Sequence, residues 1–119
     1  MDDRDRVASR WDGLLSQLAV RERRFVILSL IECDDTWLRV PEDVTPPGTS
    51  AESAAIELHH VHLPALAADE FVEWRAEPLS MRRGPRFDEI AAVVRVLMSA
   101  EALPSCLHAN SRSFVDSNQ

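Results

Sequence analysis

Between Glu57 and Trp74 the apolar residues change their spacing, and that change constrains the fold more than any other feature of this chain. Up to Leu66 they recur at steps of three and four, through Ala54, Ala55, Leu58, Val61, Leu63 and Leu66, which is the spacing of one helix face. From Phe71 onward, in Phe71-Val-Glu-Trp-Arg75, the period falls towards two, as in a half-buried strand. The segment predicts a helix over 51–66 that runs directly into a hairpin, Phe71–Ala76 against Leu79–Arg83, turning at Glu77-Pro78. Pro64 lacks an amide proton and should bend or interrupt the helix where it stands.

The flanks punctuate the same plan. Thr45-Pro-Pro-Gly-Thr-Ser50 reads as a loop, with Ser50 or Thr49 as the cap of the helix that follows. Gly84-Pro85 stops the second strand, because proline cannot donate to the ladder, and opens a last helix over 86–100 with Asp88 and Glu89 near its positive end. Upstream, Thr36–Val40 has the content of a short strand. A helix from Val20 to Cys33, ended by Asp34-Asp35, turns Val20, Ile27, Leu28 and Ile31 to a core and carries Arg21, Arg23 and Arg24 on its flank. Trp11, Leu14, Leu15 and Leu18 predict a shorter helix from Arg10 to Leu18 capped by Ser9, with residues 1–8 frayed. Ser105–Gln119 lacks periodicity and reads as a flexible tail. The expected organisation is an extension over 1–17, one domain over 18–100 and a tail over 101–119.

A helix that feeds a hairpin is how a winged helix presents its recognition helix and its wing. The run Leu58-His-His-Val-His-Leu-Pro-Ala-Leu66, preceded by Arg21-Glu-Arg-Arg-Phe-Val-Ile-Leu28 and followed by Phe71-Val-Glu-Trp74, resembles a family of small haloarchaeal winged-helix proteins taken to be transcription regulators. The likeness spans roughly residues 18–99. It implies an α+β winged helix-turn-helix with an added C-terminal dimerisation helix. The chain departs from the family pattern at three places. Ala65 stands where Lys is common, Asp69-Glu70 replaces a turn containing Gly, and the second helix is reduced to Val40-Pro-Glu-Asp-Val44.

The 119 residues suit one domain with a modest core. Neither a long apolar run nor a charged and apolar leader is present, so the expectation is a cytoplasmic protein without a membrane span. All 13 basic residues are Arg, and the net charge is -7, a balance that resembles the haloarchaeal bias or reflects a GC-rich genome. That charge repels nucleic acid at long range, but molar salt screens the field within about 3 Å. Cys33 and Cys106 read as free thiols, and Cys106 with His108 has no second cluster for zinc.

Against the net charge, residues 75–86 hold Arg75, Arg82, Arg83 and Arg86 beside the single Glu77. Such a patch next to a recognition helix suits phosphate contacts; the other reading pairs these arginines with acids or lays them on Trp74. Ser53 and His60 complete the expected DNA-contacting set. The exposed helix positions Glu52, Ser53, Glu57 and His60 include no Arg, Lys, Asn or Gln to read base edges. His59 and His62 lie one turn apart without a third ligand. His62 is expected to be buried between Leu58 and Val61 and bonded to backbone, so no metal or other cofactor is expected. Nothing resembles a nucleophile elbow or a phosphate loop, and no enzymatic activity is expected. The last helix is apolar on two sides, which points to a homodimer through Ile90, Val93, Val94, Val96 and Leu97. The function read from the sequence is a homodimeric DNA-binding transcription regulator, binding double-stranded DNA. The alternative is a winged-helix protein-interaction module with a protein partner and no DNA.

Overall fold

The change of spacing near residue 70 is realised as a helix that ends at Ala68 and a strand that begins at Val72. A computed structural model describes residues 2–33, 36–46, 48, 50–107 and 114–115. The elements are α1 Asp3–Leu18, α2 Arg21–Glu32, β1 Leu38–Arg39, α3 Ala51–Glu57, a π-helical turn Leu58–His62, α4 Leu63–Ala68, β2 Val72–Ala76, β3 Leu79–Arg83 and α5 Phe87–Ser99, with a 3-10 turn over Ser105–Leu107. The fold is α+β, helices around a small antiparallel sheet of order β1-β3-β2.

Helix α1 starts earlier than its apolar spacing suggests. Asp2, not Ser9, caps it by accepting from the Arg4 amide, and Asp3 and Asp5 add negative charge at its positive end. Leu14 and Leu18 enter the common core. Residues 1–17 are thus no mere extension, and only Met1 lies outside the described residues. Asp34, Asp35 and Thr49 also lie outside them, whereas Ser50 caps α3 by accepting from the Ser53 amide at 3.2 Å.

The helix that follows keeps Leu58, Leu63 and Leu66 at no more than 1% exposure, yet leaves Val61 49% exposed. Val61 was expected on the buried face, and the reason for the difference is one hydrogen bond. The Leu63 amide donates to the Leu58 carbonyl, five residues back rather than four, so this turn holds one extra residue and Val61 rotates outward. Pro64 explains why the wide turn sits here. It has no amide to give, and in a regular helix its ring would strike the carbonyl four residues earlier.

The same helix ends in a Schellman arrangement. The Phe71 amide donates to Leu66 O at 3.1 Å and the Glu70 amide to Ala67 O at 2.9 Å, which places Glu70 at the left-handed position with φ 64°. Phe71 returns to the core beside Leu66. Opposite this bend lies Gly84. A Cβ there would fall 2.7 Å from Glu70 O, 2.8 Å from Val72 N and 2.9 Å from Phe71 C, all backbone atoms.

In the hairpin, Val72↔Arg83, Trp74↔Met81 and Ala76↔Leu79 pair on one side, and Glu73↔Arg82 and Arg75↔Ser80 on the other, with the turn at Glu77-Pro78 as expected. Strand β1 adds Leu38↔Met81 and Arg39↔Ser80, so the expected strand over 36–40 shrinks to two paired residues. Buried Leu38, Val72 and Met81 face the helices. Val40–Asp43 forms a turn instead of a second helix, while buried Val40 and Val44 still brace the core.

Two further expectations are corrected. Within 101–119, Phe114 and Val115 pack against the core, the Phe114 carbonyl accepting from Arg24 Nε at 2.9 Å; residues 108–113 and 116–119 lie outside the described residues. Helix α5 buries Ile90 and Val94 completely within its own chain. Neither is available to a dimer interface, whereas Val96 and Leu97 stay 65% and 38% exposed and Val93 is half-buried. Among the described residues no helix is long and apolar enough to cross a membrane.

Leu66→Ala should destabilise the chain by about 2–5 kcal/mol, as for other buried leucines, read from urea unfolding. Glu70→Gly should act in the opposite direction. It relieves a left-handed conformation that costs a side chain about 1–2 kcal/mol, less the extra chain entropy of glycine. A melting temperature that rises in Glu70→Gly checks the second effect, and a fall would show that the Glu70 side chain matters more than its backbone.

Candidate functional site

Helix 51–68 is held to the helical layer by a polar cluster beneath it. His62 is 8% exposed, but its partner is a side chain and not the backbone group expected. Arg23 Nε donates to His62 Nδ1 at 3.2 Å, which fixes the neutral imidazole with its proton on Nε2. Arg23 Nη1 also donates to Gln17 Oε1 at 3.0 Å. Gln17 in turn donates to the Ala65 carbonyl at 3.0 Å and to Asp69 Oδ2 at 2.7 Å. α1 and α2 thereby grip the C-terminal half of helix 51–68 through groups whose bonds are all satisfied. Burial, and then the Arg23 charge, push the His62 pKa below its ordinary 6.5.

The solvent side of that helix is Glu52, Ser53, Ile56, Glu57, His60 and Val61, all exposed, with Ile56 at 56%. No cation stands among them. His59 stacks on His60 at 4.3 Å and meets Trp74 edge-on at 5.4 Å, so the hairpin leans on the π turn through Trp74. Among the described residues no three His, Cys, Asp or Glu side chains converge to hold a metal.

The four arginines at 75, 82, 83 and 86 separate into two pairs. Arg83 lies on the helix-facing side of the hairpin and donates to Leu30 O at 2.9 Å, Ile31 O at 3.3 Å and Cys33 O at 2.8 Å, so it satisfies the open carbonyls at the end of α2. Arg86 reaches Asp69 O at 3.3 Å and both carboxylate oxygens of Glu89 at 3.0 Å. Arg10 of α1 joins them, 2.9 Å from Glu89 Oε1, and these contacts, Arg86 first, bring the Glu89 pKa down to about 2. Arg83 and Arg86 were both expected to contact DNA, and both are occupied in holding elements together.

Arg75 and Arg82 lie on the outer side of the sheet. Their guanidinium carbons sit 4.0 Å and 4.6 Å from the centre of the Trp37 ring. Each is held by Nε alone, Arg75 on Ser80 Oγ at 3.1 Å and Arg82 on Glu73 Oε1 at 2.7 Å. The aromatic they use is Trp37, not Trp74. Arg39 stands next to them in the row Arg39, Ser80, Arg75 and is exposed. Trp37 and Arg39 were missed from the sequence, although strand alternation gives their side once the β1 register is known.

No protein-family model, no curated protein and no solved structure matches this chain.

The His62 cluster has a pH signature. A histidine whose pKa is lowered on folding is neutral in the fold, so its stabilising contribution is complete above 6.5 and is lost as pH falls below it. The wild type should melt at a lower temperature at about pH 5.5 than at about pH 7.5, roughly one unit either side of that pKa. His62→Asn keeps an acceptor for Arg23 and should shrink the difference. An undiminished difference in His62→Asn would assign the pH dependence elsewhere.

Proposed function

We propose that this chain is an interaction module of winged-helix type, working as a homodimer, whose helix 51–68 docks on a protein instead of reading DNA bases. The order of elements supports the architecture, a helix delivered straight into a wing whose base pairs with a short preceding strand. The observation that carries the function is the solvent side of the helix. Glu52 and Glu57 would meet the phosphates flanking any groove, and Ile56 and Val61 offer apolar area with nothing to read. A partner that covers Ile56 and Val61 gains about 25 cal/mol for each Å² of apolar surface removed from water.

Val96 and Leu97 of α5 and Val7, Trp11 and Leu15 of α1 support the dimer. The Arg10–Glu89 ion pair ties the two helices together, yet α1 leaves Val96 bare. A two-fold mate that presents the same residues in return covers them. The DNA-binding regulator remains a second reading on one specific observation, the open edges of Arg75 and Arg82. It reaches only phosphates, and so predicts duplex binding without sequence preference.

Val96→Glu should convert the dimer to monomer in sedimentation and melt at the temperature of the dilute, monomeric wild type, since the side chain lies outside the core. Val93 is a poorer probe because it also packs against that core. Wild type that sediments as a monomer at about 100 micromolar, well above ordinary dimer constants, removes the homodimer. Ile56→Glu with Val61→Glu should abolish retention of a cellular partner on immobilised protein. Retention of duplex DNA that disappears in the same double variant would instead restore the base-reading helix.

A further inference from the structure

Several arginines of this chain spend their terminal nitrogens on contacts within the fold. Those of Arg10 and Arg86 meet Glu89, those of Arg23 and Arg24 meet Gln17 and the Leu18 carbonyl, and Arg83 caps α2. Arg75 and Arg82 differ. Each is tied at Nε, each guanidinium carbon sits over the indole of Trp37, and among the described residues neither terminal nitrogen pair has a partner. Ser80 keeps Arg75 in place from below. It is 1% exposed, and its hydroxyl accepts from Arg75 Nε while donating to the Pro78 carbonyl at 2.8 Å. The rotamer entropy of both arginines has already been lost in folding, so an anion meets two pre-oriented forks.

Beside these forks the surface is hollow and partly aromatic. A depression of about 580 Å³ runs over the open edge of β2 from Trp37, Glu73 and Arg82 on the outer side to Val72 and Trp74 on the other. Aromatic walls next to paired guanidinium groups suit a planar base attached to a phosphate, and an acidic peptide would leave those walls unused. The outer side of the sheet faces away from helix 51–68, so a duplex lying on it cannot also receive that helix in a groove. A single strand has no such requirement.

We propose that this face binds single-stranded nucleic acid, the phosphodiester group on the terminal nitrogens of Arg75 and Arg82 and a base in the depression bordered by Trp37 and Trp74. Arg39 adds charge along the same row. The depression reaches Ala67 and Glu70 at the end of helix 51–68, but Ile56 and Val61 do not line it, so this site and the proposed docking surface use different residues and are tested separately.

The test is fluorescence anisotropy of a labelled oligodeoxythymidylate of about 15 nucleotides, the length one small domain covers, titrated with the full chain in low salt. A duplex of equal length and inorganic phosphate form the comparison arms. The single strand should bind more tightly than the duplex. Arg75→Lys with Arg82→Lys should weaken it about tenfold at unchanged melting temperature, since lysine keeps the charge but loses the stacked fork. Arg75→Ala with Arg82→Ala should also lower the salt slope by about 0.7, the value for one phosphate of a single strand that is no longer neutralised. Ile56→Glu with Val61→Glu should bind the oligonucleotide as wild type does, whatever becomes of its protein partner. Absence of oligonucleotide binding, equal binding by the Lys and Ala double variants and wild type, or tighter binding of the duplex overturns the proposal. Complete displacement of the oligonucleotide by inorganic phosphate at matched phosphate concentration also overturns it, by leaving a site for a free anion alone.

Discussion

Two stretches of backbone meet at Gly84, and the rest of the molecule is arranged around that meeting. The chain that leaves helix 51–68 and enters β2, at Glu70, Phe71 and Val72, comes within 2.7–2.9 Å of the position where a Gly84 Cβ would sit, just past the end of β3 at Arg83. The contact is sealed by hydrogen bonds from the Gly84 amide to Phe71 O at 3.0 Å and from the Arg86 amide to Glu70 O at 2.8 Å. Only glycine fits where backbone meets backbone this closely. The angle between helix 51–68, the hairpin and α5 is therefore set by main chain. Arg83, Arg86 and the Leu66–Phe71 contact then brace a geometry that already exists.

How far the sequence foretells this arrangement depends on the kind of physics each residue reports. The hairpin register was legible because strand alternation and the Glu77-Pro78 turn agree, and burial of His62 was legible from its neighbours. Its partner was not. Arg23 lies 39 residues away, and nothing local announces a contact of that range. The displacement of Val61 was hidden because a fixed step of 100° per residue cannot see an extra residue in one turn, although Pro64 gave the place where regular geometry had to yield. Arg82 and Arg83 look equivalent as charges. Their opposite fates follow from the pleat, which turns consecutive residues to opposite sides, and that alternation was available from the register. The packing of Phe114 and Val115 had no periodic signal at all, since two residues are too few to make one.

Arginine in this chain is largely a structural donor. Arg24 and Arg83 close the carbonyl ends of α1 and α2, and Arg21 and Arg24 fasten the segment at Phe114 and Val115. The planar fork serves two carbonyls at once, which a lysine ammonium on a single point cannot match in fixed geometry. Counting basic residues along the hairpin therefore overstates the charge it offers to solvent. The patch of open guanidinium groups is smaller than the cluster in the sequence, and it is centred on Trp37, an aromatic from outside the hairpin.

The π turn at Leu58–His62 also links two positions that look unrelated in the sequence. A π turn is an α-helix carrying one surplus residue, and here the surplus is what lets Pro64 stand in mid-helix while Leu58 and Leu63 share a buried side. Deleting one residue from this turn would restore a four-residue bond pattern that Pro64 cannot complete. Replacing Pro64 would remove the reason for the wide turn and free Val61 to swing back towards the core. The surplus residue and the proline are thus structurally coupled, and a variant of this chain that lost only one of them would have to repack the helix side that carries Ile56 and Val61.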